Sequence, residues 1–212
     1  MHIAIDGPAA SGKSSVAKAL AEHFGALHLE TGKMYRAVAL GLSRGIPLDR
    51  IRIQVSDAGT FLLNDDDVTG CLHTPALDRA SSEVATRADV RHRLVALQQA
   101  IAAGRNIVME GRDIGTVVLP HADAKIFLEA SPEVRARRRA QQRGEADHRT
   151  ILEDLRERDH RDRTRALSPL NAASDARIID TSEKALSKVI LEAIAWVKER
   201  LAEGDSSVQE GD

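Results

Sequence analysis

The 212-residue sequence predicts an α/β fold in three layers, αβα, with helices on both faces of a central five-stranded parallel sheet. Three observations carry that expectation. Short apolar runs alternate with longer helical patterns, the mark of successive βαβ units. Glycines fall where the helical patterns stop, at Gly25, Gly45 and Gly104. The segment Gly7-Pro8-Ala9-Ala10-Ser11-Gly12-Lys13-Ser14 fits the spacing G-x-x-x-x-G-K-[ST] between an apolar run and a helical one, which makes the fold one of the P-loop NTPase type.

Each element has its own reason. The first strand is expected at 2–6, around Ile3-Ala4-Ile5, and the first helix at 13–24, with Val16, Ala17, Leu20, Ala21 and Phe24 on one stripe. A strand at 27–29 leads to a helix at 32–44, capped by Thr31 and carrying Met34, Val38 and Leu42. Residues 46–70 are less regular, and Asn64-Asp65-Asp66-Asp67 reads as a turn between two short strands. Helices at 74–86 and 89–103 precede strands at 105–110 and 124–129. Two arginine-rich helices follow, at 131–142 and 150–165, separated by a polar segment with Gly144. A strand at 176–180 and a helix at 183–202, docking Leu186, Ile190 and Ile194, complete one domain over 1–202. Residues 203–212 are expected to be a disordered tail.

Composition narrows the function. A formal net charge of −2 gives no overall field to recruit nucleic acid or an anionic membrane. No apolar run approaches the ~20 residues that span a bilayer, and nothing resembles a secretory signal, so a cytoplasmic protein is expected. Cys71 is the one cysteine, which excludes an internal disulfide and disfavours a thiolate metal cage. The five aromatics, Phe24, Tyr35, Phe61, Phe127 and Trp196, are too few for base-stacking platforms.

The glycine-rich loop explains its own residue types. Glycines let the backbone wrap a phosphate and aim N–H groups at it from a helix N-terminus. Gly7 to Ser15 are therefore expected to hold ATP, with Lys13 reaching its β- and γ-phosphates and Ser14 holding Mg²⁺. Arginine outnumbers lysine 23 to 7, with eleven arginines between 135 and 165. Guanidinium forks grip phosphate bidentately, which suits a site that brings two anionic groups together. A phosphate acceptor arrives ionised and needs no strong base. Arg158, Asp162 and Arg165 share one helix face, and Glu110-Gly111-Arg112-Asp113 ends a buried strand, where a parallel sheet places its ligands. A plain intrahelical salt bridge explains Arg158–Asp162 almost as well. Arg36, one turn into its helix, is expected to bind acceptor phosphate.

Together these pieces resemble the bacterial cytidylate kinase family, within the nucleoside monophosphate kinases. The resemblance is carried by Ile3 to Ser14, Leu29-Glu30-Thr31-Gly32-Lys33-Met34-Tyr35-Arg36, Gly111-Arg112-Asp113-Ile114-Gly115-Thr116-Val117-Val118, Arg158-Asp159-His160-Arg161-Asp162-Arg163, and the pair Ser168-Pro169-Leu170 and Ser174-Asp175-Ala176. It implies transfer of the ATP γ-phosphate to CMP and dCMP with Mg²⁺, catalysed by Lys13, Arg112 and Arg165. It implies that Arg36, Arg112 and Arg165 hold the CMP phosphate. Ser82, Arg91 and Asp113 would then read cytosine, and Thr31, Arg158 and Asp162 would surround the sugar. Arg138 would belong to a lid, about 138–160, that closes on ATP. An acceptor-binding insertion is expected over about 46–103, its 46–70 part shorter than is usual for the family. Glu30 and Lys33 stand where the family pattern has Asp and a small residue. The expected partners are ATP and CMP or dCMP alone, with no nucleic acid or membrane, and the expected state is a monomer. Two readings compete: another small P-loop kinase acting on UMP, AMP or a small metabolite, and a nucleotide-dependent RNA-binding or assembly factor.

Overall fold

The computed structural model describes residues 1–144 and 147–209. Its main sheet has the order β2-β6-β1-β7-β8, and every pair in it is parallel. The strands are β1 (His2–Asp6), β2 (Leu27–Glu30), β6 (Ile107–Gly111), β7 (Ala124–Glu129) and β8 (Arg177–Asp180). Alternation along the strands supplies both faces. Ile3, Ile5, Val108, Ile126 and Leu128 point to one side, where α1 (Lys13–Phe24) and α7 (Leu186–Gln209) cover them. Ala4, Leu29, Ile107 and Met109 point to the other, beneath α2 (Thr31–Ser43) and α4 (Ala88–Ala102). The sheet is therefore the middle of three layers.

Between α2 and α4 lies a small antiparallel sheet of β3 (Ile53–Val55), β4 (Phe61–Leu63) and β5 (Asp66–Asp67), followed by α3 (Pro75–Val84). Ile51, Ile53, Phe61 and Leu63 pack into the same core as Met34 and Val38. The four-residue turn expected at 64–67 shrinks to two residues. Asn64 and Asp65 take left-handed φ values of 50° and 74°, and the chain then pairs back, Leu63 against Asp66 and Leu62 against Asp67. Asn and Asp tolerate this conformation, so a tight hairpin forms and a third strand appears. The single cysteine, Cys71, is exposed.

Two further expectations are corrected. Thr31 does not cap α2. Glu30 occupies the cap position, and Thr31, inside the first turn, donates its hydroxyl to the Glu110 carbonyl at 2.7 Å. Helix α7 starts at Leu186, which is exposed rather than docked, while Ile190 and Ile194 pack against the core as expected. The most deeply buried ridge is the neighbouring one, Val189, Ala193 and Val197, which meets β7 and α1. No proline interrupts the end of this helix, and its backbone continues to Gln209, past the boundary expected near 202. Residues 210–212 of the expected tail lie outside the described residues.

Helices α5 (Pro132–Arg143) and α6 (His148–Thr164) pack on each other above the carboxyl ends of β1 and β7. Arg135 is their keystone. It is almost fully buried, pairs with Asp159 through both terminal nitrogens, and donates to the Ala130 and Ala9 carbonyls. Among the described residues, no helix is long and apolar enough to cross a membrane.

Candidate active site

The loop between β1 and α1 turns on three left-handed positions, Gly7 (φ 146°), Ala10 (61°) and Gly12 (99°). A methyl group on Gly7 would lie 2.2 Å from the Leu128 carbonyl oxygen, so glycine is obligatory where the loop leaves the sheet. Lys13 Nζ donates to the Pro8 carbonyl at 2.6 Å, bent back across the loop. Burial, and then the charge of Arg112, hold its pKa well below that of an ordinary lysine. Ser11 Oγ is buried without a hydrogen-bond partner among the described residues.

Parallel register determines what faces Ser14. Ile5 pairs with Glu110, so Glu110 ends its strand level with the loop. Its Oε2 accepts from Ser14 Oγ at 2.9 Å, and its Oε1 meets His28 Nε2 at 2.9 Å. Beside it, Asp6 accepts from the N–H groups of Ile114 and Gly115, each at 2.8 Å, in a π-type turn over Ile114–Val118. Burial pushes the Asp6 carboxyl up to about 6, against the lowering effect of those two bonds.

A cavity of about 300 Å³ opens from this loop. Every residue expected to meet the acceptor lines it: Thr31, Arg36, Ser82, Arg91, Arg112, Asp113, Arg158, Asp162 and Arg165. They form charge clusters. Asp113 accepts from Arg91 and lies 3.6 Å from Arg165 Nη2. Asp162 accepts from Arg112 Nε at 2.9 Å and lies 3.8 Å from Arg158 Nε. The last contacts of these two pairs are too long for hydrogen bonds. Arg158 Nε and Arg165 Nη2 are accordingly buried with no acceptor among the described residues. Such donors are costly unless a ligand meets them. Burial pushes the Asp162 carboxyl up, but Arg112 and Arg158 more than offset this and keep it below its usual range. Burial and Arg112 lower Arg158 to about 10, so it stays cationic at neutral pH. Tyr35 lies under Arg91, with its phenol pushed up to about 12 by burial.

Arg36 reaches the cavity, but two carboxylates already hold it. Its Nη1 donates to Glu30 at 3.0 Å and its Nε to Asp78 at 3.0 Å, and Asp78 also accepts from Arg139 on α5. Burial raises Glu30, yet Arg36 and Lys33 bring it below an ordinary glutamate. Ser82 Oγ accepts from Arg161 Nη1 at 3.1 Å, which joins α3 to α6 across the cavity.

Arg138 does not line this cavity. It faces a second one, of about 460 Å³, on the far side of the loop, between Ser11, Ser15 and Val189. There it donates to the Thr181 hydroxyl and carbonyl, at 2.9 and 2.6 Å. Sequence reasoning singled out Arg138 from the arginine run, whereas Arg139, one residue on, lines the first cavity. It missed Asp78 because an acid in the first turn of a helix, after Thr74-Pro75, reads as an ordinary complement to the helix dipole. Glu110 was visible as a charge at a strand end, but its bond to Ser14 depends on a register that periodicity does not give.

The chain matches the family model for cytidylate kinase over residues 3–199. A cytidylate kinase of Pelotomaculum thermopropionicum is 46% identical, with 92% of this chain and 95% of that one covered. One from Mycobacterium leprae is 48% identical, with 93% and 96% covered. Among solved structures, a gluconokinase from Sinorhizobium meliloti superimposes with a TM-score of 0.54 at 21% identity, covering 96% of this chain and 94% of its own. Shikimate kinase from Acinetobacter baumannii gives 0.51 at 13%, covering 93% of each. At those identities the likeness is one of fold.

Proposed function

The chain belongs to the cytidylate kinase family, and we propose that its two cavities bring ATP and CMP or dCMP together across the glycine-rich loop for phosphoryl transfer. The observation that carries this reading is the pair of buried guanidinium donors, Arg158 Nε and Arg165 Nη2, that have no acceptor among the described residues in a cavity lined by the loop. A nucleoside monophosphate would supply both, a phosphate oxygen for Arg165 and a sugar hydroxyl for Arg158.

On this reading an oxygen of the CMP phosphate attacks the γ-phosphorus of ATP. The bond from that phosphorus to the β–γ bridging oxygen breaks, and ADP leaves. Little proton chemistry is required, because the acceptor is already ionised. The work is positioning and charge neutralisation. Arg112 and Arg165 would hold the acceptor phosphate, joined by Arg36. Asp113 with Arg91 and Ser82 would meet the cytosine edge, which offers an amino donor and two acceptors. Asp162, with Arg158 and Thr31, would meet the sugar hydroxyls. Lys13 would leave the Pro8 carbonyl for the β- and γ-phosphates. Gly7 to Ser15 with Arg138 would hold ATP. The insertion over 46–103 and the lid near 138–160 would close to keep water from the γ-phosphate.

Mg²⁺ fits the oxygen donors available. Ser14 Oγ and the buried Glu110 carboxylate are 2.9 Å apart beside the loop, and no all-protein cluster of three or more His, Cys, Asp or Glu ligands occurs among the described residues. Few protein ligands, with the rest from phosphate and water, is the usual Mg²⁺ arrangement. When bound, the ion would neutralise charge on the transferring phosphates.

The test is an acceptor panel with ATP. CMP and dCMP should be phosphorylated well above UMP and AMP, and Lys13→Ala should lower turnover at least ~10²-fold with the fold intact. Equal turnover of UMP and CMP would remove the base assignment. ATP hydrolysis indifferent to every monophosphate would remove the function.

A further inference from the structure

We propose that His28 is a positioning residue for the metal–nucleotide site, acting through Glu110. This rests on the reading of Ser14 and Glu110 as the Mg²⁺ donors. His28 does not line the acceptor cavity, whereas Ser14 and Glu110 do. Its hydrogen bond is to Glu110, so any role in the reaction passes through that neighbour.

Alternation on β2 explains the placement. Leu29 points into the core beneath α2, so His28 points to the opposite face, the one covered by α1. There its Nε2 meets Glu110 Oε1 at 2.9 Å, while Ser14 Oγ donates to Oε2 at 2.9 Å. A carboxylate only accepts, so Nε2 carries the hydrogen of this bond. Both oxygens of Glu110 are thereby engaged, one on each side, and the plane of the carboxylate is fixed. Glutamate has three side-chain torsions, and at a strand end beside a cavity it would otherwise sample several orientations. The side chain of Glu110 is 4% exposed and that of His28 26%, so the imidazole also closes the outer side of the carboxylate. Outer partners of this kind hold metal-ligating groups in the productive orientation, and losing one typically costs 10–100-fold in metal affinity.

The experiment titrates Mg²⁺ into protein mixed with ADP and follows nucleotide binding calorimetrically, without turnover. His28→Ala should raise the Mg²⁺ concentration needed for half-maximal tightening of ADP by about tenfold. Metal-free ADP affinity and CMP affinity should not change. His28→Gln, whose amide can donate from about the position of Nε2, should restore most of the loss. If His28→Ala does not fold, His28→Leu, of similar bulk and without a donor, takes its place beside His28→Gln. An unchanged Mg²⁺ requirement would overturn the proposal. So would an equal loss of metal-free ADP and CMP binding, which marks a purely structural histidine. If ADP binding to the unaltered protein ignores Mg²⁺, the assignment of Ser14 and Glu110 fails instead.

Discussion

Asp113 stands between two buried guanidiniums, bonded to Arg91 and 3.6 Å from Arg165. Its single charge faces both, which on the proposed reading would tie base recognition to the phosphate clamp. Asp113→Asn keeps an acceptor oxygen but leaves two cations facing each other out of water, an imbalance that costs about 3 kcal/mol or more. The expected outcome is a fall in kcat/KM for CMP of roughly 10²-fold with a smaller fall for UMP, because a site built on paired polar groups discriminates by leaving them unpaired. A mutant that loses both acceptors equally would take Asp113 out of base selection. Sequence showed this residue clearly, since a charge after the apolar strand Ile107–Met109 has no structural excuse. Ser82 and Arg91 were legible only by resemblance. On their helices they look like surface positions, and only the packing of α3 against α2 and α6, and of α4 against α2 and the Ile114–Val118 turn, buries them to 4% and 2% exposure.

Elements were legible where a local rule decides them. Helix α1 runs from Lys13 to Phe24, as its apolar stripe and Gly25 require. The π-type turn is held by Asp6, far away in sequence, and the start of α7 by its packing on the sheet, so periodicity missed the one and located the other loosely. The hairpin is local, and its tightness lies in the left-handed Asn64 and Asp65, which periodicity does not report. The loop before α1 shows why glycines in one motif are unequal. Gly7 is held against the backbone of β7, whereas nothing lies within 4 Å of a methyl group on Gly12, whose φ of 99° is its only constraint. Gly7→Ala must push the loop off the sheet, so it should destabilise by about 3 kcal/mol and abolish ATP binding. Gly12→Ala carries backbone strain alone, of order 1 kcal/mol. Urea unfolding of the two variants, with nucleotide binding measured alongside, checks the ranking. Equal costs would mean the Leu128 contact yields easily.

At the scale of the whole molecule, the sheet sets charge against burial. Strand order brings the ends of β1 and β6 side by side, so Asp6, Glu110 and Asp113 collect in the interior, an outcome no local pattern in the sequence could show. Three carboxylates around the cleft, Glu30, Asp162 and Asp6, fall into two classes with opposite pH linkage. Glu30 and Asp162 lie below their usual range in the fold, so the stability they contribute is present above pH ~4 and lost as pH falls through their lowered values. Asp6 runs the other way. Its folded value of about 6 exceeds the ordinary aspartate value of 3.8, so between those pH values the native state keeps a proton that the unfolded chain has released. Its contribution therefore declines as pH rises through that window, by about 3 kcal/mol in all. Asp6→Asn cannot titrate. Its amide can accept from only one of Ile114 and Gly115 through its oxygen, which gives an offset that is the same at every pH. The stability of Asp6→Asn relative to the unaltered protein should therefore improve by about 3 kcal/mol from pH 4 to pH 7, read by urea unfolding at unit steps. A difference that stays flat across that range would mean Asp6 is already ionised in the fold at pH 4, held so by its two backbone N–H groups despite its burial.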